Sequence, residues 1–106
     1  TKVYDISAKN PEYLGSKPAI VDFYASWCGP CRAISPVLEE LAKEYGDKIV
    51  IYKVDVDASR DIAQAFGIRS IPAVLFIPMK GEAQMTVGGR SKEDFKKQID
   101  TILLGK

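Results

Sequence analysis

Both cysteines of the 106-residue chain lie within five consecutive residues, which read Trp27, Cys28, Gly29, Pro30 and Cys31. A cysteine at the start of a helix faces unsatisfied backbone N–H groups and the positive end of the helix dipole, which favour thiolate over thiol. An ordinary thiol of pKa ~8.5 is only about 3% ionised at neutral pH, so a lowered pKa supplies a nucleophile. Cysteines three residues apart on a helix are separated by ~5–6 Å, within the Cα range of a disulfide bond. The pattern predicts a reversible redox pair.

Three other interpretations compete with a redox pair. A purely structural disulfide would close a very short loop, which is worth ~2 kcal/mol by the chain-entropy estimate. A zinc ion takes four ligands, and because the chain has no histidine and no third cysteine, zinc would have to be shared between two chains. Two inert core cysteines would need neither the Gly29-Pro30 pair between them nor Trp27 beside them. We therefore expect no metal.

Two elements must position the pair. An apolar run at residues 19–25, interrupted only by Asp22, predicts a central strand covered on both faces. Behind it, apolar residues recur with helical spacing from Cys31 to Tyr45, and Gly46 is expected to end that helix. Asp22 is predicted to be buried with a raised pKa, although a solvated strand end is the alternative.

The remaining segments alternate between strand and helix. Strands are predicted at residues 2–6, 49–56, 73–77 and 83–87, and helices at 10–15, from a cap at 57 or 59 to 67, and from 91 onward. A four-residue connection at 78–81 makes the last two strands antiparallel neighbours. The expected fold is an α/β sandwich with a mixed sheet, helices on both faces and the order βαβαβαββα, forming a single domain over residues 1–106.

Charge and hydropathy narrow the classes of partner. Lys and Arg number 15 against 14 Asp and Glu, so a net charge of +1 gives no reason to expect nucleic acid or a membrane surface. No apolar run reaches the ~18–20 residues of a membrane span. The chain begins with threonine, so a leader peptide could have been removed. We expect a cytoplasmic protein, with a periplasmic one as the alternative.

Three stretches together closely resemble the thioredoxin family, and the resemblance covers essentially the whole chain. They are residues 21–31, residues 68–72 and residues 87–89. The resemblance implies a three-layer thioredoxin fold and a protein-disulfide reductase that works through Cys28 as nucleophile and Cys31 as resolving cysteine, without a cofactor. Its partners would be disulfide-bearing proteins and an electron donor, either thioredoxin reductase or, in an exported protein, a membrane thiol relay. We expect the protein to be a monomer.

The resemblance also implies roles for residues outside the cysteine pair. Asp22 would exchange a proton with Cys31, and Lys53 would lie near that carboxylate. Trp27 would shield the thiolate, while Gly29 and Pro30 complete the loop. A cis Pro72 would pack against the pair and leave the backbone of Ile71 free for substrate, and Gly88 would line the same groove.

Each of these supporting residues has a simpler alternative. Trp27 could be a core residue, Lys53 a strand lysine with an exposed head, and Pro72 a strand-start proline. Gly88 could belong to a plain turn.

The chain departs from the commonest family pattern at Tyr24, at Ala73 and in the 78–81 turn, which leaves partner preference open. Met79 and Met85 are interpreted as surface or gap-filling residues. Two rival functions remain: a binding scaffold without redox turnover, and an oxidase or isomerase on the same fold. The intact cysteine pair opposes the first, and Gly29-Pro30 resembles reductants more than oxidants.

Overall fold

The fold is built on a five-stranded sheet in the order β1-β3-β2-β4-β5. The computed structural model describes residues 3–5, 17–79 and 82–105. The strands are β1 (Val3–Asp5), β2 (Ala19–Tyr24), β3 (Val50–Asp55), β4 (Ala73–Ile77) and β5 (Gln84–Val87). The helices are α1 (Gly29–Tyr45), α2 (Arg60–Ala65) and α3 (Lys92–Gln98), with a 3₁₀ turn at Gly46–Lys48 and a π-helical turn at Ile99–Leu103. The predicted helix at 10–15, and residues 80 and 81 of the predicted turn, lie outside the described residues.

The sheet is mixed, as the sequence predicts. Strands β1 and β2 both pair with β3 in parallel, whereas β4 runs antiparallel to both β2 and β5. The register places Asp22 between Lys53 of β3 and Val74 of β4. Because five of the six β2 residues are buried, the prediction of a central strand covered on both faces is confirmed.

Helices cover both faces of the sheet and create two cores. One core contains Ile20 and Val74 from the sheet together with apolar side chains of α1, of α3 and of the π-helical turn. The other core contains Phe23 and Tyr52, and Ile62 of α2 packs against it. These layers form the predicted three-layer sandwich, in which α1 lies over the face of β2 that carries Asp22.

Helix α1 begins at Gly29, two residues before the start that the apolar stripe predicts. Cys28 has an extended backbone and occupies the N-cap, and Pro30 lies in the first turn, where a missing N–H costs nothing. The helix continues through Pro36 and ends at Gly46, whose φ of +54° favours glycine.

The other two helices differ in how they are capped. Ser59 occupies the predicted cap position of α2 but makes no side-chain cap hydrogen bond. Instead, the Asp55 carboxylate accepts hydrogen bonds from the backbone N–H groups of Asp57 and Ala58 at the end of β3. In α3 the predicted cap is confirmed, because Ser91 Oγ accepts a hydrogen bond from the Asp94 N–H at 3.2 Å. Within the described part of the chain, no helix is long and apolar enough to cross a membrane.

Candidate active site

The two cysteines form a disulfide bond at the start of α1, and their Cα atoms are 5.3 Å apart. Cys28 Sγ accepts a hydrogen bond from the Cys31 backbone N–H at 3.2 Å, so the sulfur itself caps the helix. An N–H donor and the positive end of the dipole both stabilise a thiolate at Cys28 in the reduced state.

Solvent accessibility does not separate the two cysteines. Cys28 lies at the helix entrance and Cys31 one turn further in, yet their exposed fractions in the oxidised protein are 4% and 2%. Both sulfur-bearing side chains are packed in a small cluster with Ala25, against which Tyr24 and Ile71 lie. The structural difference between the two cysteines is therefore that Cys28 caps the helix, since both side chains are equally buried.

Trp27 lies on the surface beside the disulfide. Its side chain is 65% exposed, so the interpretation of Trp27 as a core residue is wrong. The indole Nε1 donates a hydrogen bond of 2.7 Å to Asp57 Oδ2, which fixes one edge of the ring. Sequence reasoning treated Asp57 only as a possible helix cap, and no local pattern links residues 30 positions apart. Gly29 and Pro30 are exposed next to the ring.

Asp22 is fully buried, and neither oxygen of its carboxylate has a hydrogen-bond partner among the described residues. Burial raises the pKa of Asp22 from 3.8 to about 6, and the positive charge of Lys53 opposes that rise. The interpretation as a solvated strand end is therefore wrong. A carboxyl group with this pKa can take up and release a proton near neutral pH.

Lys53 is half-buried on the strand next to Asp22, with its Nζ 4.6 Å from the centroid of the Tyr24 ring. Tyr24, Lys53 and Cys31 line one cavity of about 390 Å³, together with Ser35 and other residues of the α1 entrance. The structure thus brings Lys53 to the Cys31 side of the disulfide. Tyr24 is a member of this group that the sequence marked only as a departure from the family pattern.

Pro72 and Gly88 lie next to each other. The Ile71–Pro72 peptide bond is cis, as the resemblance implies, and Ile71 packs against the cysteine cluster. The Gly88 N–H donates a hydrogen bond of 2.8 Å to the Pro72 carbonyl. Gly88 has a φ of +94°, which side chains rarely tolerate, so this position requires glycine for its backbone conformation.

An apolar cleft of about 310 Å³ adjoins the segments that carry Pro72 and Gly88. Its walls include three large apolar side chains that are 38–52% exposed: Phe66, Met85 and Val87. Arg69 and Ser70 also line it. Met79 is 55% exposed elsewhere on the surface, so both methionines are surface residues as predicted.

The described residues contain no group of three or more acidic, cysteine or histidine side chains able to hold a metal ion.

Three comparisons place the chain among known proteins. A family model described as Thioredoxin matches residues 6–101. The chain is 44% identical over 99 residues to a thioredoxin of Borreliella burgdorferi, covering 92% of this chain and 85% of the relative. It is also 44% identical over 101 residues to the chloroplastic M-type thioredoxin of Spinacia oleracea, covering 95% of this chain. The chain spans only about half of that relative, 56% of its length.

A solved structure gives the same result. The crystal structure of chloroplastic thioredoxin z superposes with a TM-score of 0.86 at 30% identity, covering 96% of this chain and 95% of the other. Besides this similar fold, the chain has an N-capping cysteine at Cys28, a buried aspartate at Asp22 and a cis proline at Pro72. The chain belongs to the thioredoxin family, oxidoreductases that reduce protein disulfides by thiol–disulfide exchange through an active-site cysteine pair.

Proposed function

We propose that Cys28 is the attacking cysteine and Cys31 the resolving cysteine. The Cys28 thiolate attacks one sulfur of a substrate disulfide, a mixed disulfide forms, and the other substrate sulfur leaves as a thiolate. The Cys31 thiolate then attacks Cys28 Sγ and releases the second substrate thiolate. Two electrons pass to the substrate, and the Cys28–Cys31 disulfide remains. The observation that carries this assignment is the hydrogen bond from the Cys31 N–H to Cys28 Sγ, because it stabilises negative charge on that sulfur.

We propose that Asp22 moves the proton that the second step requires. Cys31 must lose a proton before it attacks, and an acid whose pKa is about 6 is suited to accept one near neutral pH. Strand alternation puts Asp22 on the same face as Ile20 and Tyr24, the face that α1 covers. Lys53, its neighbour across β3, modulates the charge on the carboxylate.

The substrate polypeptide is proposed to lie over Trp27, Ile71, Pro72 and Gly88. Trp27 is exposed directly before Cys28, and Ile71 packs against the cysteine cluster. Gly88, whose N–H bonds the Pro72 carbonyl, has no side chain to block the approach of a backbone. The adjoining apolar cleft would receive an apolar side chain of the same substrate.

The electron donor is proposed to be thioredoxin reductase, or a membrane thiol relay if the protein is exported. We also propose that the protein acts as a monomer in the cytoplasm. The chloroplastic relatives show that the family serves more than one compartment. Sedimentation of the purified protein and fractionation of the source cells test these two points.

A trapping experiment tests the roles of the cysteines. Each single variant, Cys31→Ser and Cys28→Ser, is reduced, incubated with a disulfide-bonded protein and run on a non-reducing gel. Cys31→Ser should accumulate a covalent adduct, because the mixed disulfide forms but is not resolved. Cys28→Ser should trap almost nothing. Equal trapping by both variants overturns the assignment, and trapping by neither favours a binding scaffold.

The reduction potential of the pair separates a reductase from an oxidase or isomerase. The reduction potential of thioredoxin-type reductants is about −270 mV, whereas that of isomerases is about −180 mV and that of strong oxidants about −120 mV. Equilibration with glutathione buffers of known ratio gives the value.

A further inference from the structure

The contact between Lys53 and Tyr24 is a cation–π contact: Lys53 Nζ lies over the phenol ring, 4.6 Å from its centroid. Lys53 is also the direct neighbour of Asp22 across two parallel strands, so its long side chain could reach the carboxylate. Yet neither oxygen of Asp22 has a hydrogen-bond partner among the described residues. The ammonium group thus lies over the ring and is not hydrogen-bonded to the acid, although its charge still acts on the carboxylate.

Few charged groups share this space. Strand β2 contributes Asp22 and Tyr24, and β3 contributes Lys53 and Asp55, which is the neighbour of Tyr24 in the register. Helix α1 contributes the Cys28–Cys31 disulfide and Arg32, which lines the same cavity as Lys53. From β4 the neighbour of Asp22 is the apolar Val74. The Asp55 carboxylate is engaged by the backbone N–H groups of residues 57 and 58.

We propose that Tyr24 is a positioning residue, whose ring holds the Lys53 ammonium group at a distance from Asp22 and prevents the two from forming a direct ion pair. The ring attracts the ammonium electrostatically, and it lies two residues along β2 from the acid, on the same face of the sheet. For catalysis the inference rests on the proposed role of Asp22, since an acid locked in an ion pair is a poorer proton acceptor.

Removal of the Tyr24 ring should change the pKa of Asp22. An opposite charge within about 4–6 Å lowers the pKa of a carboxyl group by about 1–3. If the ring is removed, Lys53 is free to reach the carboxylate, and the pKa of Asp22 falls. Tyr24→Leu should therefore lower that pKa by about 1 or more, whereas Tyr24→Phe, which keeps the ring and loses only the hydroxyl, should leave it unchanged.

The experiment is an NMR titration of the side-chain carboxyl carbon of Asp22 in the oxidised protein. It uses the wild type, Tyr24→Leu, Tyr24→Phe, Lys53→Met and the double variant Tyr24→Leu/Lys53→Met. Lys53→Met should raise the pKa, and adding Tyr24→Leu to it should have no further effect, because no ammonium group remains to move. An equal fall in the presence and absence of Lys53 overturns the proposal, as does no change or a rise in Tyr24→Leu.

A measurement on the wild type keeps the proposal testable if Tyr24→Leu does not fold. The ε-methylene protons of Lys53 should be shifted upfield by the aromatic ring current at pH values on both sides of 6. Unshifted protons would show that the ammonium is not held over the ring in solution and would refute the proposal. Because neither readout requires disulfide exchange, failure of this inference is distinguishable from failure of the proposed catalytic roles.

Discussion

Replacing Asp22 by asparagine should stabilise the oxidised protein by an amount that grows as the pH rises. Below pH 3.8 the Asp22 carboxyl group is protonated in the folded and in the unfolded chain, so no charge is buried on folding. Between 3.8 and about 6 the unfolded chain has lost this proton while the folded protein retains it, so the free energy of unfolding of the wild type falls with pH. Above about pH 6 the free energy of unfolding of the wild type has fallen by the full amount. At ~1.4 kcal/mol per pH unit, this rise in pKa corresponds to about 3 kcal/mol.

The measurement is urea unfolding of the wild type and Asp22→Asn at pH 3.5 and pH 7.5, with the disulfide intact. The difference between the two proteins should be larger at pH 7.5 by about 3 kcal/mol, since the asparagine variant lacks this titration. Glu39→Gln, at an exposed position of α1, controls for the loss of one negative charge. A difference that stays constant between the two pH values would contradict a raised pKa of Asp22. Disulfide exchange should become slower in Asp22→Asn, although the fold is more stable.

Three further predictions concern single hydrogen bonds. Ser91→Ala removes the cap of α3 and should lower the free energy of unfolding by ~1 kcal/mol in urea melts. Burial and the hydrogen bond of 2.8 Å to Asp100 raise the pKa of the Tyr45 phenol to about 12, so a spectrophotometric titration should lose a tyrosine that titrates near pH 12 in Tyr45→Phe. Asp57→Ala should change stability by less than ~1 kcal/mol, because Trp27 and Asp57 are exposed to water, but should increase indole mobility in fluorescence anisotropy decays.

The order of the described elements was predictable because each carries a strong local signal. Apolar residues recur with helical spacing from Ile34 to Tyr45, and β2 is a nearly unbroken apolar run. The start of α1 was placed two residues late because the stripe begins after the first turn. Pro30 was the available signal, since proline favours that turn and Cys28 then becomes the N-cap. The π-helical turn at Ile99–Leu103 has no such local signal.

The sequence named the residues of the candidate site, but it could not supply all of their geometry. Burial of Asp22 follows from its apolar neighbours in sequence, whereas the exposure of Trp27 depends on which side of the loop faces the sheet. The equal burial of the two cysteines likewise depends on the packing of Ile71 from a distant loop.

Tyr24 shows most clearly what strand register adds to local sequence. In the sequence, Tyr24 and Lys53 are two unrelated residues on different strands. The parallel register of β2 and β3 makes Lys53 the neighbour of Asp22, and alternation along β2 puts Tyr24 on that same face. One ammonium group can then interact with either an aromatic ring or a buried carboxylate, and in this structure it lies on the ring. Under the proposal made above, Tyr24 adjusts the acidity of Asp22 from outside the cysteine motif, and local sequence patterns do not reveal this link.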